Sequence, residues 1–131
     1  MSQEDLLHQV SAESVSCVLE NNKVVTLSNL GSAPTYSYGT AGNVELTLPT
    51  DSINSRVYKG REMFSSGSSE YIAFTNGAYT YAVYDGLGRG WAFHGLRVYK
   101  NKDIIMEKQC KQFPVLTYDY DAVNASEGDF P

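Results

Sequence analysis

The stretch that decides the fold is Glu70-Tyr71-Ile72-Ala73-Phe74-Thr75-Asn76-Gly77-Ala78-Tyr79-Thr80-Tyr81-Ala82-Val83-Tyr84. Two runs rich in aromatic and β-branched residues flank the dipeptide Asn76-Gly77, and such runs favour strands. Asn-Gly is the strongest short-range signal for a β-hairpin, because both residues tolerate the positive φ that a tight turn requires. The stretch therefore predicts a hairpin at the centre of the chain.

The same signals recur on both sides of this hairpin and predict about seven or eight short strands in all. Apolar and polar residues alternate within these segments, and turn-forming residues separate them. Outside the hairpin the clearest segments are residues 15–19, 24–30, 35–38, 43–48, 91–99 and 104–110. Short strands at this spacing are typical of an antiparallel all-β fold, for which a sandwich and a small barrel are equally open.

The chain has 131 residues, which suits one domain. We divide it into an N-terminal extension over residues 1–14, a β domain over 15–113 and an acidic C-terminal tail over 114–131. Within the extension, residues 3–14 carry Leu6, Leu7 and Val10 at helical spacing and predict a short helix. The tail lacks strand-like alternation, so we expect it to lie on the surface.

Composition excludes several classes of protein. Hydrophobic residues make up 42% of the chain and charged residues 19%, but no apolar run approaches the roughly 18 residues of a membrane span. A net charge of -5 argues against a general nucleic-acid binder. The charge is uneven, since residues 56–102 sum to +4 while both ends are acidic. That basic middle either faces an acidic partner or lines the solvent faces of strands.

The two cysteines constrain the chain further. Cys17 and Cys110 lie 93 positions apart, so C-x-x-C redox chemistry and zinc-finger spacing are both excluded. In an exported protein they would pair and stabilise the fold by about 4–5 kcal/mol, whereas in a cytosolic protein they would be two buried thiols. Residues 1–6 lack the pattern of a signal peptide, so an exported protein would be present here in its mature form.

Residues for catalysis are sparse, and the sequence predicts no enzyme, cofactor or metal site. His8 and His94 are the only histidines, and no G-x-S-x-G nucleophile elbow occurs. His94 lies in an aromatic strand and is expected to be structural. The glycine-rich loop at residues 86–90 lacks the Lys-Ser/Thr of a phosphate-binding loop. That loop either presents Arg89 and Trp91 to a partner or is a plain β-turn.

The central tyrosines allow two interpretations. If Tyr71, Tyr79, Tyr81 and Tyr84 expose their rings, they would stack on sugars as in a carbohydrate-binding module. If the rings are buried, they form a wall of the core with their hydroxyls reaching the surface. We favour the core interpretation.

Several short motifs together resemble a family. The strand Ser16-Cys17-Val18, the run Tyr36-Ser37-Tyr38-Gly39, the Asn76-Gly77 hairpin and a closing strand with Cys110 resemble the periplasmic inhibitors of C-type lysozyme from Gram-negative bacteria. Those proteins are small β-barrels with a disulfide. The stretch Ser66-Gly67-Ser68-Ser69-Glu70-Tyr71 is similar to their Ser-Gly-x-x-Tyr motif, with one extra residue before the Tyr. Immunity proteins against type VI secreted muramidases look similar too.

This resemblance implies a periplasmic, non-catalytic protein that binds and blocks a muramidase. It also implies a disulfide between Cys17 and Cys110. The contact residues we expect are Ser65, Ser66, Gly67, Ser68, Tyr71, Arg89 and Trp91. The alternative is a carbohydrate-binding or other periplasmic interaction module. Pairing of an edge strand with a second copy, giving a homodimer, also stays open.

Overall fold

The computed structural model describes residues 14–40, 42–111 and 116–128. Within these ranges the chain forms ten β-strands and one short 3₁₀ helix, η1 (Tyr120–Ala122). The strands are β1 (Val15–Val18), β2 (Val24–Ser28), β3 (Thr35–Thr40), β4 (Asn43–Leu48), β5 (Val57–Phe64), β6 (Gly67–Asn76), β7 (Tyr79–Gly88), β8 (Trp91–Lys100), β9 (Asp103–Gln109) and β10 (Ser126–Glu127). The predicted all-β class is confirmed.

The strands form two sheets that pack as a sandwich. The smaller sheet has the order β1-β2-β3-β4, and the larger has the order β10-β5-β6-β7-β8-β9. Neighbouring strands are antiparallel, except that β10 runs parallel to β5. Among the described residues the two sheets do not close into a barrel, so the sandwich is the correct one of the two predicted forms.

The predicted central hairpin is β6 and β7, which pair from Asn76 with Tyr79 to Gly67 with Gly88. Its turn consists of Gly77 and Ala78, one residue later than predicted. Gly77 has φ 64°, and a glycine with positive φ at the first turn position is typical of a type II′ turn. The requirement for positive φ at the first turn position therefore places Gly77 there, and this sets the pairing of Asn76 with Tyr79.

The main core lies between the sheets, because alternate side chains of each central strand point inward. Its largest fully buried members on the small-sheet side are Leu19, Val25, Leu27, Tyr36 and Leu48, and those on the large sheet are Ile72, Phe74, Val83 and Leu96. The inner faces of both sheets thus contribute to one continuous apolar layer.

The outer face of the large sheet carries a second buried cluster, formed by Tyr71, Ala73, Ala82, Tyr84 and Tyr99. The core interpretation of the central tyrosines is therefore correct for Tyr71 and Tyr84. It does not hold for Tyr79, which is exposed, and Tyr81 is half-buried. Tyr79 is exposed because it lies at the end of the large sheet, and Tyr81 stays half-buried because the small sheet covers only part of its ring.

The predicted disulfide is present and ties the two sheets together. Cys17 of β1 is bonded to Cys110, just after β9, with the two Cα atoms 5.7 Å apart. A backbone bridge between Leu19 and Cys110 continues the contact. The first and last strands of the predicted β domain are thus joined covalently.

The segment predicted as a C-terminal surface tail is packed against both sheets over its described part. Leu116, Tyr120 and Val123 are buried, and β10 extends the large sheet beyond β5. These residues lie in irregular coil and in the single turn of η1, so their sequence has no repeating period that would have indicated burial. The helix predicted over residues 3–14 lies outside the described residues, apart from Ser14. Over the described chain, no helix has the length and apolar character to cross a membrane.

Candidate functional site

Two short turns meet at one end of the large sheet, which we call the loop end (residues 62–69 and 86–93). Ser65-Ser66 joins β5 to β6, and Arg89-Gly90 joins β7 to β8. The strand register sets Gly67 opposite Gly88. The backbone N–H of Arg89 donates to the carbonyl of Ser66 over 2.6 Å. Two loops that are separate in sequence therefore form one surface.

Trp91 is held at the loop end by two kinds of contact. Its indole Nε1 donates to Ser66 Oγ over 2.9 Å. The ring lies against the backbone of β7, where a Cβ at Gly88 would overlap the indole and a Cβ at Gly86 would lie 3.2 Å from Cζ3. The glycines therefore let the ring lie flat on the strand, and the hydrogen bond fixes its direction.

A hollow of about 300 Å³ opens beside Trp91 on the outer face of the large sheet. Phe64 stands nearly perpendicular to Trp91, with ring centroids 5.8 Å apart and an interplanar angle of 83°. The residues that line the hollow are Glu62, Phe64, Ser66, Ser69, Trp91, Phe93 and Arg97. We call this space the loop-end hollow. It combines aromatic walls with hydroxyl, carboxylate and guanidinium groups.

The two charged groups of the loop-end hollow differ in their surroundings. The Arg97 guanidinium lies 4.4 Å from the centroid of Phe93 and 4.7 Å from that of Tyr84, and it forms an ion pair with Glu107. Glu62 is exposed, and within the described chain its carboxylate has no ion-pair partner. Arg97 is thus fixed by its neighbours, whereas Glu62 is available to a ligand.

An apolar patch occupies the tip of the loop end. Met63, Leu87 and Phe64 expose 72%, 66% and 49% of their surface. Met63 and Leu87 both pair with Ser68 in the strand register, so they lie on the same face, opposite to that of the hollow. Exposed apolar side chains that are grouped in this way mark interaction sites in folded proteins. Phe64 follows Met63 in β5 and lies on the side of the hollow, so the three side chains flank both faces of the sheet at its edge. We call Met63, Leu87 and Phe64 the tip patch.

The basic residues of the middle of the chain have mostly local roles. Arg61 pairs with Glu70, and Arg97 pairs with Glu107. Lys59 is buried and donates to two backbone carbonyls. Arg89 is exposed at the tip and forms no ion pair among the described residues. Arg89 is therefore the positive charge of this end that has no ion-pair partner among the described residues, whereas Arg97 is reached through the hollow.

Six of the seven predicted contact residues come together at the loop end: Ser65, Ser66, Gly67, Ser68, Arg89 and Trp91. Tyr71 does not. It is 4% exposed, and its hydroxyl donates to the carbonyl of Gly128 over 3.2 Å. The structure therefore places Tyr71 within β6, away from the surface of the loop end.

Sequence reasoning missed seven residues of the site: Glu62, Met63, Phe64, Ser69, Leu87, Phe93 and Arg97. A signal for two of them exists in the sequence, because Met63-Phe64 is an apolar pair directly before a serine turn. Leu87 is likewise a large apolar residue within a glycine-rich loop. Glu62 and Arg97 carry no such local signal, since only the pairing of β5 through β8 brings them to the same hollow.

Asp85 and His94 form the one histidine–carboxylate ion pair of the described chain. His94 Nδ1 lies 3.2 Å from Asp85 Oδ1 and 3.1 Å from the carbonyl oxygen of Leu116. The backbone N–H of Tyr118 donates to the other carboxylate oxygen over 3.3 Å. Burial raises the pKa of Asp85 above its usual range. The contacts of the pair are with the C-terminal segment, which agrees with a structural role for His94.

Neither a search for metal-binding groups nor comparison with known proteins assigns a function to the described residues. In residues 14–40, 42–111 and 116–128, no group of three or more His, Cys, Asp or Glu side chains is placed to hold a metal ion. Comparisons with protein families, curated proteins and solved structures find no match to this chain. Its function must therefore be argued from the loop end itself.

Proposed function

We propose that this protein is a non-catalytic binding module that engages and blocks a peptidoglycan-cleaving muramidase with its loop end. The observation that carries the proposal is the tip patch, which exposes Met63, Phe64 and Leu87 next to Arg89. Aromatic residues, Met and Arg are enriched at protein interfaces.

The rigidity of the loop end supports binding without a large loss of conformational entropy. The two turns are short, their backbones are joined by the bond from Arg89 to Ser66, and Trp91 is fixed by the Ser66 hydroxyl. A preorganised surface spends less of its interaction free energy on ordering side chains and loops. The loop end therefore suits insertion into a concave partner.

A muramidase is the class of partner that best suits this chemistry. Glycoside hydrolases of this kind use paired carboxylates within a cleft. Arg89 is positioned to pair with such a carboxylate, and the Ser65 hydroxyl is exposed beside it. The resemblance of the serine–glycine turn to lysozyme inhibitors points to the same class. The disulfide suits an oxidising compartment such as the periplasm, which is the location we propose.

Inhibition assays with matched variants test the proposal. Purified protein is added to peptidoglycan with a panel of lysozymes and secreted muramidases, and lysis is followed. Arg89→Ala and Leu87→Ala are each expected to raise the dissociation constant at least about tenfold, equal to about 1.4 kcal/mol. The matched control is Lys102→Ala, an exposed basic turn residue at the opposite end of the same sheet.

The outcomes separate the function from the site. If no muramidase is bound or inhibited at micromolar protein, the proposed function is wrong. If inhibition is observed but both loop-end variants behave like Lys102→Ala, the function stands and the loop end is not the contact surface. Unchanged unfolding midpoints for the variants exclude misfolding as the cause of lost inhibition.

A further inference from the structure

The loop-end hollow has an aromatic floor and an aromatic wall. Trp91 packs one side of its indole on the backbone at Gly86 and Gly88, so its other side lines the hollow. Phe64 stands at 83° to this floor and closes one flank. Flat apolar rings that meet at right angles offer a surface to a ligand with a flat apolar face.

Polar groups around the rings supply both donors and acceptors. The Glu62 carboxylate accepts, and the Arg97 guanidinium donates. Ser66 Oγ accepts from Trp91 Nε1, so its own hydrogen remains to be donated. A ligand whose groups each donate and accept, as sugar hydroxyls do, matches this mixture. Pockets of this kind combine apolar walls with a small number of placed polar groups.

The charges of the hollow favour a neutral ligand. A cationic ligand would meet the guanidinium of Arg97, which rests on Phe93 and cannot be deprotonated. An anionic ligand would meet the Glu62 carboxylate at the rim. A neutral polyol meets neither repulsion and bonds to both groups. The volume of about 300 Å³ is at the lower end of the range for ligand pockets and suits a short saccharide.

We infer that the loop-end hollow binds a saccharide, with one sugar ring stacked on Trp91 and its hydroxyls bonded to Glu62, Ser66 and Arg97. This site differs from the tyrosine array that the sequence indicated for sugars, because Tyr71 and Tyr84 are buried. The hollow shares Phe64 with the tip patch but opens on the face opposite to Met63 and Leu87. Its ligand is a saccharide and not the muramidase itself, so the inference goes beyond the proposed contact with a muramidase.

Trp91 is the single tryptophan of the chain, so its fluorescence reports on the hollow alone. The full-length protein is titrated with triacetylchitotriose, cellotriose and maltotriose, and with methylguanidinium as a cationic probe. We expect at least one saccharide to shift or quench the Trp91 emission saturably at millimolar or lower concentration, with no saturable response to methylguanidinium. The titration contains no muramidase, so its result is independent of the inhibition assay.

Substitutions within the hollow sharpen this test. Glu62→Gln replaces a charged acceptor by a weaker neutral one, and Phe64→Ala removes the wall, so each is expected to weaken saccharide binding about tenfold. Asp103→Asn, at an exposed position near the far end of the sheet, is the matched control and should leave the titration unchanged. Indole N–H resonances in NMR spectra verify that Trp91 keeps its environment in each variant.

Three results would overturn the inference. The first is the absence of any saccharide response at millimolar concentration in protein with a native NMR spectrum. The second is a saturable response to methylguanidinium alone, which would make the hollow a site for basic side chains. The third is saccharide binding that Glu62→Gln and Phe64→Ala leave at the strength of Asp103→Asn, which would place the sugar elsewhere on the molecule.

Discussion

Two buried tyrosine hydroxyls show how differently single residues contribute to this fold. Tyr36 is fully buried between the sheets, and its hydroxyl has no hydrogen-bond partner among the described residues. Tyr84 is equally buried, but its hydroxyl lies 3.1 Å from that of Tyr99. Burial raises the pKa of both phenols. A buried polar group without a partner costs about 1–3 kcal/mol, so the Tyr36 hydroxyl is unfavourable where the Tyr84 hydroxyl is not.

We therefore expect Tyr36→Phe to raise the free energy of unfolding by about 1 kcal/mol. The matched substitution Tyr84→Phe removes a paired hydroxyl and should lower the free energy of unfolding by about the same amount. Urea unfolding of both variants and of the unmodified protein measures the difference. A loss of stability in Tyr36→Phe would show that its hydroxyl is satisfied in solution.

At the scale of the element, the C-terminal segment over residues 116–128 depends on a few anchors. Lys59 is 8% exposed, and its Nζ donates to the carbonyls of Tyr120 and Val123 over 2.8 and 3.0 Å. The Tyr118 hydroxyl lies 2.9 Å from the carbonyl oxygen of Val83, and burial raises its pKa. A segment with little regular structure is thus held by side chain to backbone bonds.

Lys59→Met tests the strength of this anchor. The substitution keeps the aliphatic stem but removes the charged donor from both carbonyls. Each carbonyl then keeps one backbone bond, from the N–H of Val123 or of Ala125, at 3.2 and 3.1 Å. We expect the free energy of unfolding to fall by about 2 kcal/mol, as for hydrogen bonds to charged groups. Amide exchange should quicken within residues 116–128. Lys100→Met, at an exposed position of the same sheet, should change neither quantity, and equal effects of the two variants would contradict the anchor.

At the scale of the whole molecule, the tyrosines couple stability to alkaline pH. The chain has ten tyrosines, and burial raises the pKa of several in the folded state, that of Tyr58 to about 12. In the unfolded chain each ionises near pH 10. Above that pH, ionisation of these tyrosines stabilises the unfolded state more than the folded state.

The sign of the pH dependence follows from these raised values. The contribution of the buried tyrosines is fully present below about pH 10, and it is lost as the pH rises from there through the folded pKa values. We expect the unfolding midpoint in urea to fall steadily above that pH. Tyrosinate absorbance should rise in two steps, the exposed rings first and the buried rings together with unfolding seen by circular dichroism. A single early step for all tyrosines would contradict this.

What the sequence alone determined is what depends on local signals. Alternation with a period of two and the turn at Asn76-Gly77 predicted the strands and the central hairpin, because strand faces and tight turns are set by neighbouring residues. The placement of Cys17 and Cys110 in the first and last patterned strands indicated their pairing. In the candidate site, the glycine-rich loop indicated Arg89 and Trp91, whereas Ser66 was indicated through the resemblance of its motif to that of lysozyme inhibitors.

The remaining features depend on contacts between residues that are distant in sequence. The choice of a sandwich over a barrel, and the packing of residues 116–128, follow from how two sheets and an irregular coil cover each other. The convergence of both turns follows from the register of four strands, which no local period encodes. Glu62 and Arg97 reach one hollow for the same reason, and Tyr71 leaves the predicted site because its strand continues past the turn. The alternation of apolar and polar side chains specifies which face of a strand is buried, but the packing of the sheets decides which buried faces meet.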